Sequence, residues 1–235
     1  MKKLLLVFLC LLFVGCTHKE PPEEAQPSTV LMETVPPTTE TEPPVTFPET
    51  EPPATLPEPE DDALVFVTDY IPGIFVELKY ATTDNFTGHV IYDFTEAQLR
   101  YGTVKKLAAA QDFFESQGLS LKIWDAYRPV SAQWKLWEVY PDSNFVANPN
   151  RTHSSHSRGN TIDVTLVDKK GRELEMPTAF DDFSALADRD YSDCSLITAE
   201  NARLLQSILE QYGFQGYQKE WWHFTDTDSY EVINP

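Results

Sequence analysis

Ser154-Ser155-His156-Ser157-Arg158-Gly159-Asn160-Thr161-Ile162-Asp163 is a hydroxyl-rich loop that carries a histidine, breaks at a glycine and runs into a strand. From Thr161 onward the residues alternate, with Thr161, Asp163 and Thr165 on one side and Ile162, Val164 and Leu166 on the other, which is the period of a strand. Asp163 is therefore mounted on a rigid element, and the six residues between it and His156 let the chain turn at Gly159 and bring carboxylate and imidazole together. A histidine and an aspartate make half of a metal site. The remainder is expected near the C-terminus, where Glu220-Trp221-Trp222-His223 places a second histidine three residues after a carboxylate.

The flanking sequence mixes helices and strands. Upstream, Leu119 to Tyr127 alternates as a strand and ends in Asp125-Ala126-Tyr127-Arg128-Pro129, where Pro129 disfavours helix at Arg128 and suits the first turn of a short helix over Ser131 to Tyr140. Before it, Val104, Leu107, Ala110 and Phe114 recur at helical spacing, with Thr103 as the expected cap and Gly118 as the stop. Leu64 to Val67 and Phe75 to Tyr80 read as strands around a Pro72-Gly73 turn, and Ala81 to Gly88 reads as a polar loop. Downstream, Lys169 to Arg172 is a turn and Glu173 to Leu196 is irregular. A helix capped by Thr198 follows, with Leu205, Ile208, Leu209 and Tyr212 as its apolar stripe and Gly213 at its end; Glu220 to Phe224 is the final strand. Strands and helices without a repeating βαβ rhythm predict an α+β domain over residues 63–235, with a small mixed or antiparallel sheet flanked by helices.

Residues 1–62 differ in kind. Lys2 and Lys3 precede the apolar run Leu4 to Val14, as in an export signal over residues 1–15. Phe13-Val14-Gly15-Cys16 resembles a bacterial lipobox, which makes Cys16 the expected lipidation site and membrane anchor; the alternative is an ordinary secretory signal with an incidental cysteine. Between Thr17 and Asp62 lie twelve of the eighteen prolines and no glycine, with Thr-Glu-Pro-Pro repeated at Thr41 and Thr50. Such a segment cannot bury a core, so residues 16–62 read as an extended, disordered stalk. The net charge of −19 divides into three basic against twelve acidic residues up to Asp62 and fifteen against twenty-five beyond it. Neither part is basic, which argues against a nucleic-acid partner. Cys194 is the only thiol of the folded part, so no disulfide can form within it, and no role is assigned to Cys194.

The chemistry rests on four histidines outside the stalk. A catalytic zinc commonly takes three ligands from His, Asp or Glu and keeps one position for water, a requirement that His156, Asp163 and His223 would meet with one zinc ion per domain. Glu220 is placed to act as general base and then as acid to a leaving amine, or else it is a solvated strand-edge carboxylate. Arg128 offers a cation for a developing oxyanion, and the same spacing suits a salt bridge with Asp125. His153 reads as a loop residue, and His89 carries no assigned role.

Taken together, Tyr80-Ala81-Thr82 with Asn85-Phe86 and Gly88, Asp125 to Pro129, Ser154 to Gly159, Phe180-Asp181 and Glu220 to Phe224 resemble the VanX-type D-alanyl-D-alanine dipeptidases, in the family's order. The resemblance implies that His156, Asp163 and His223 bind zinc, that Glu220 is the base and that Arg128 supports the transition state. It also implies the α+β zinc-peptidase fold shared with D-Ala-D-Ala carboxypeptidases and the hedgehog signalling domain. Trp221 stands where the wider group's carboxypeptidases tend to have proline, which favours the dipeptidase branch. Ser154 and Ser155 are candidates for substrate contact by position alone. The expected activity is hydrolysis of D-Ala-D-Ala or a similar D-dipeptide outside the cytoplasm, by an enzyme anchored to the membrane or secreted. The alternatives are a carboxypeptidase trimming peptidoglycan stem peptides and a non-catalytic wall-binding module.

Overall fold

The computed structural model describes residues 58–143 and 146–234, all within one compact unit. The signal segment, Cys16 and most of the stalk lie outside the described residues. Glu58 to Asp62, assigned to the stalk by composition, are tied to the folded part: Tyr101 donates to Glu58 at 3.0 Å, Lys105 pairs with Asp61 at 2.6 Å, and Arg100 donates to the Asp62 carbonyl.

Among the described residues seven strands and four helices form the α+β architecture. In chain order they are β1 (Leu64–Phe66), α1 (Val67–Tyr70), β2 (Phe75–Val76), β3 (Gln98–Arg100), α2 (Tyr101–Ser116), β4 (Leu119–Asp125), α3 (Val130–Val139), β5 (Thr161–Asp168), α4 (Leu196–Gln211), β6 (Phe214–Gly216) and β7 (His223–Asp226). β1 and β3 make a small antiparallel pair, and the other five strands form a sheet in the order β2-β4-β5-β7-β6, parallel only between β2 and β4. The alternation along β5 decides the layering. Ile162, Val164 and Leu166, with Leu121 and Ile123 of β4 and Phe224 of β7, are fully buried in a core that includes Leu107 and Phe114 of α2 and Leu205 and Leu209 of α4. The opposite face carries the polar side chains and is roofed by aromatic residues, among them Trp124, Trp221 and Trp222, whose rings meet edge to face.

Several boundaries differ from the sequence reading, each for a local reason. Thr103 does not cap α2, which begins at Tyr101; its hydroxyl instead donates to Asp226 at 2.7 Å and ties the helix to β7. Thr198 does not cap α4, because Ser195 does so, its Oγ accepting the Thr198 N–H at 3.2 Å. The strand from Phe75 stops at Val76, and Lys79–Ala81 turn into a 3-10 helix whose Tyr80 carbonyl accepts the N–H groups of both Ile91 and Tyr92. Glu220 lies in a turn ahead of β7 rather than inside a strand. Among the described residues no helix is long and apolar enough to cross a membrane.

Candidate active site

Three neighbouring strands bring the polar residues side by side. In the register of the sheet Asp163 of β5 is flanked by Asp125 of β4 and His223 of β7, so three polar side chains share one row of the pleat. A bulge between Ile123 and Asp125 makes this possible, since strict alternation would have turned Asp125 toward the helices. His156 arrives from the loop. Ser155–Arg158 form a 3-10 turn that ends at Gly159 with φ of 77°, a left-handed conformation suited to glycine, and a Cβ there would press on Leu64, Arg100 and Ile233.

The donor atoms of His156, Asp163 and His223 all lie within 4.8 Å of one another. His156 Nδ1 is 2.8 Å from the Ala126 carbonyl, an acceptor, so this nitrogen carries the proton and Nε2 presents a lone pair to the cluster. That Nε2 is 3.4 Å from Asp163 Oδ2 and 3.4 Å from His223 Nδ1. His223 Nδ1 is in turn 3.0 Å from Asp163 Oδ1, an oxygen that is buried and has no hydrogen-bond partner. Buried lone pairs that converge repel one another unless a proton or a cation sits among them, and two imidazoles with one carboxylate form a donor set that zinc accepts. Burial acts against the ionised Asp163, but the charge of a protonated His156 and hydrogen bonds donated by the imidazoles outweigh this and hold its carboxyl well below the usual carboxylate range.

Glu220 sits beside this cluster with its carboxylate 3.6 Å from His223 Nδ1, partly open to the cavity, and burial raises its pKa above the ordinary value. Arg128 makes the salt bridge that its spacing allows. It pairs with the fully buried Asp125 at 2.5 Å, donates to Gln133 Oε1 at 2.9 Å, lies over the Tyr80 ring, and still lines the cavity. Asp125 also accepts from Tyr92 at 2.6 Å, so the guanidinium is held from several sides. Ser154 is buried in the cavity wall, and Ser155 Oγ is 3.5 Å from His223 Nε2, the ring nitrogen that faces away from the cluster. His153 is exposed at the cavity's edge, and His89 is exposed elsewhere with Nδ1 on the Thr87 carbonyl.

The cavity over these residues has a volume of about 330 Å³, enough for a small ligand. One of its wall residues, Asp181, carries no role in the sequence reading. With φ of 58° and a carboxylate bonded to the Tyr80 hydroxyl at 3.0 Å, it faces the cluster from the irregular segment; burial and then the nearby Asp163 charge push its pKa well up. Phe180-Asp181 is visible in the sequence as a motif, but nothing in its spacing says which way a carboxylate within an irregular stretch points. A larger cavity of about 530 Å³ shares Phe86 and Asp181 with the first and contains none of the three clustered donors.

Known proteins resemble this chain over most of the described residues. The family model described as D-ala-D-ala dipeptidase, Peptidase M15, matches residues 60–232. A D-alanyl-D-alanine dipeptidase of Escherichia coli is 37% identical over 161 residues, 68% of this chain and 83% of that protein. One of Enterococcus faecium is 33% identical over 69% of this chain and 91% of its own length. The solved structure of VanYB in complex with D-alanine-D-alanine aligns at a TM-score of 0.38 and 14% identity over 56% of this chain and 73% of that one. With a family model spanning nearly all of the described residues and two such relatives, the chain belongs to the D-ala-D-ala dipeptidase family of M15 peptidases.

Proposed function

We propose that the protein is a zinc-dependent dipeptidase that hydrolyses D-Ala-D-Ala or a similar small D-dipeptide outside the cytoplasm, held at the membrane through a lipid on Cys16. The observation that carries the catalytic part is the convergence of the donor atoms of His156, Asp163 and His223 within 4.8 Å of one another, with Glu220 alongside. His156, Asp163 and His223 would hold zinc, which when bound would supply Lewis acidity, lowering the pKa of a water towards roughly 7 and polarising the peptide carbonyl. Glu220 takes the proton as water adds to the carbonyl carbon and returns it to the nitrogen as the C–N bond breaks, so that the second residue leaves as a free amine. Arg128, fixed by Asp125 and Gln133, faces the negative charge that develops on the carbonyl oxygen.

Asp181 gives the reading its preference for a dipeptide. A buried carboxylate whose one side-chain hydrogen bond comes from Tyr80 gains most from a cation, and the free ammonium of a dipeptide is a cation at the right end of the substrate. Ser154, in the same wall, is placed to meet the substrate's polar groups, while Ser155 is better placed against His223. The extracytoplasmic location rests on Lys2, Lys3, the apolar run and Gly15-Cys16.

Incubating the purified full chain with D-Ala-D-Ala, with and without chelator, tests the reaction. Hydrolysis that stops on chelation and returns with zinc is expected, and activity that survives complete metal removal overturns the zinc assignment. An amine-acylated tripeptide ending in D-Ala-D-Ala should be a poor substrate; preference for it over the dipeptide would make the enzyme a carboxypeptidase. Fractionation of wild-type and Cys16→Ala proteins tests the anchor, which is refuted if both leave the membrane fraction equally.

A further inference from the structure

Glu220 lies on the turn that leads into His223, the first residue of β7, and loops hold catalytic geometry less well than strands. A cation in the irregular segment before α4 fixes this turn. Arg189 Nε donates to the Tyr217 carbonyl at 2.8 Å, and its Nη2 donates to the carbonyls of Trp221 at 3.1 Å and His223 at 2.9 Å. The three acceptors bracket the turn on both sides of Glu220. Main-chain bonds from the same segment add to the hold, the Trp221 N–H donating to the Ala187 carbonyl at 2.9 Å and the Arg189 N–H to that of Gln218 at 3.1 Å. The guanidinium lies 4.3 Å over the Phe224 ring, so it is stacked as well as hydrogen-bonded.

Gly216 completes the arrangement. A Cβ at this position of β6 would fall on the guanidinium carbon and two of its nitrogens, so the absence of a side chain admits the arginine to the backbone of the turn. A planar fork with several donors in fixed directions reaches three carbonyls of differing orientation; a lysine ammonium, a compact point charge on a flexible stem, does not reproduce that geometry.

We propose that Arg189 is a positioning residue for the reaction, setting the Tyr217 to His223 turn so that Glu220 and His223 Nδ1 stand at their working distances from Asp163. This rests on the reading of His223 as a metal ligand and Glu220 as the base. The experiment compares wild-type full chain with Arg189→Lys and, as an independent route to the same displacement, Gly216→Ala. Zinc affinity is measured by chelator competition, the absorption spectrum is recorded after cobalt substitution, and kcat and KM for D-Ala-D-Ala are normalised to bound metal. Expected for both variants are a roughly 10- to 100-fold loss in kcat per bound metal or in metal affinity, a KM within about twofold of wild type and an altered cobalt spectrum. Wild-type kcat per metal, affinity and spectrum in Arg189→Lys or in Gly216→Ala would overturn the proposal. If the wild-type chain binds cobalt at His156, Asp163 and His223 but cleaves no D-dipeptide, the substrate reading has failed and the affinity and spectral arms still decide the role of Arg189.

Discussion

The two faces of β5 are equally buried and do opposite things. Ile162, Val164 and Leu166 on one side and Thr161, Asp163 and Thr165 on the other all have 3% exposure or less. On the helix side burial removes apolar surface from water and stabilises the fold. On the site side the same burial leaves Asp163 Oδ1 and Thr165 Oγ1 without hydrogen-bond partners, an arrangement that costs stability and is retained where function needs it. Depth in a structure is therefore no measure of contribution to its stability; the deciding matter is whether each buried atom has found a replacement for the partner it lost on leaving water.

Substitutions on either side of the sheet can break that contrast. The largest effect is expected at Glu220, where Glu220→Ala lowers kcat by about 10²- to 10⁴-fold while bound zinc and the melting temperature stay close to wild type; retained turnover would remove Glu220 from the mechanism. On the core side Leu166→Ala should cost about 2–5 kcal/mol in denaturant unfolding with kcat per folded molecule nearly unchanged. A comparable loss of activity would show that the two faces are not separable. Thr165→Val, which swaps the orphan hydroxyl for a methyl of similar shape, should raise stability by about 1–3 kcal/mol, and a destabilised variant would mean that the hydroxyl has a partner after all. The smallest effect belongs to Glu77, which bridges Lys79 at 2.7 Å and Lys122 at 3.0 Å on a partly open surface. Burial acts to raise its pKa, but the two lysines prevail and lower it, so its contribution is present above the usual carboxylate pKa and is lost as pH falls through the lowered value. Screening by solvent limits that contribution to about 0.2–1 kcal/mol, so Glu77→Gln should differ from wild type by this amount near neutral pH and converge with it in acid. Equal differences at both pH values would contradict the pairing.

Legibility of the fold and site in the sequence depends on where the signal lies. Asp163 is readable because a strand's alternation fixes direction, and His156 because Gly159 marks the turn that returns it. Glu220 and His223 stand out by composition. Arg128 has two uses that its spacing cannot choose between, and in the structure it is paired with Asp125 while lining the cavity. The cap of α4 is misplaced by three residues because Ser195 and Thr198 are both competent cap types and only the path of the chain selects one. The three-residue strands β3 and β6 are too short for a period to show. Arg189 belongs to no motif, since its partners are backbone carbonyls, which every residue possesses and no sequence advertises.

The bulge in β4 acts as a change of phase. Up to Ile123 each second residue of that strand turns toward the helices, and after it the count is offset by one, so that Trp124 and Asp125 both serve the opposite side. Were the same residues paired without the bulge, the facing of those beyond it would reverse: Asp125 would turn into the hydrocarbon core and Arg128 would lose its counter-ion. For this strand the length, counted odd or even, is as much a determinant of the chemistry as the identity of any side chain on it.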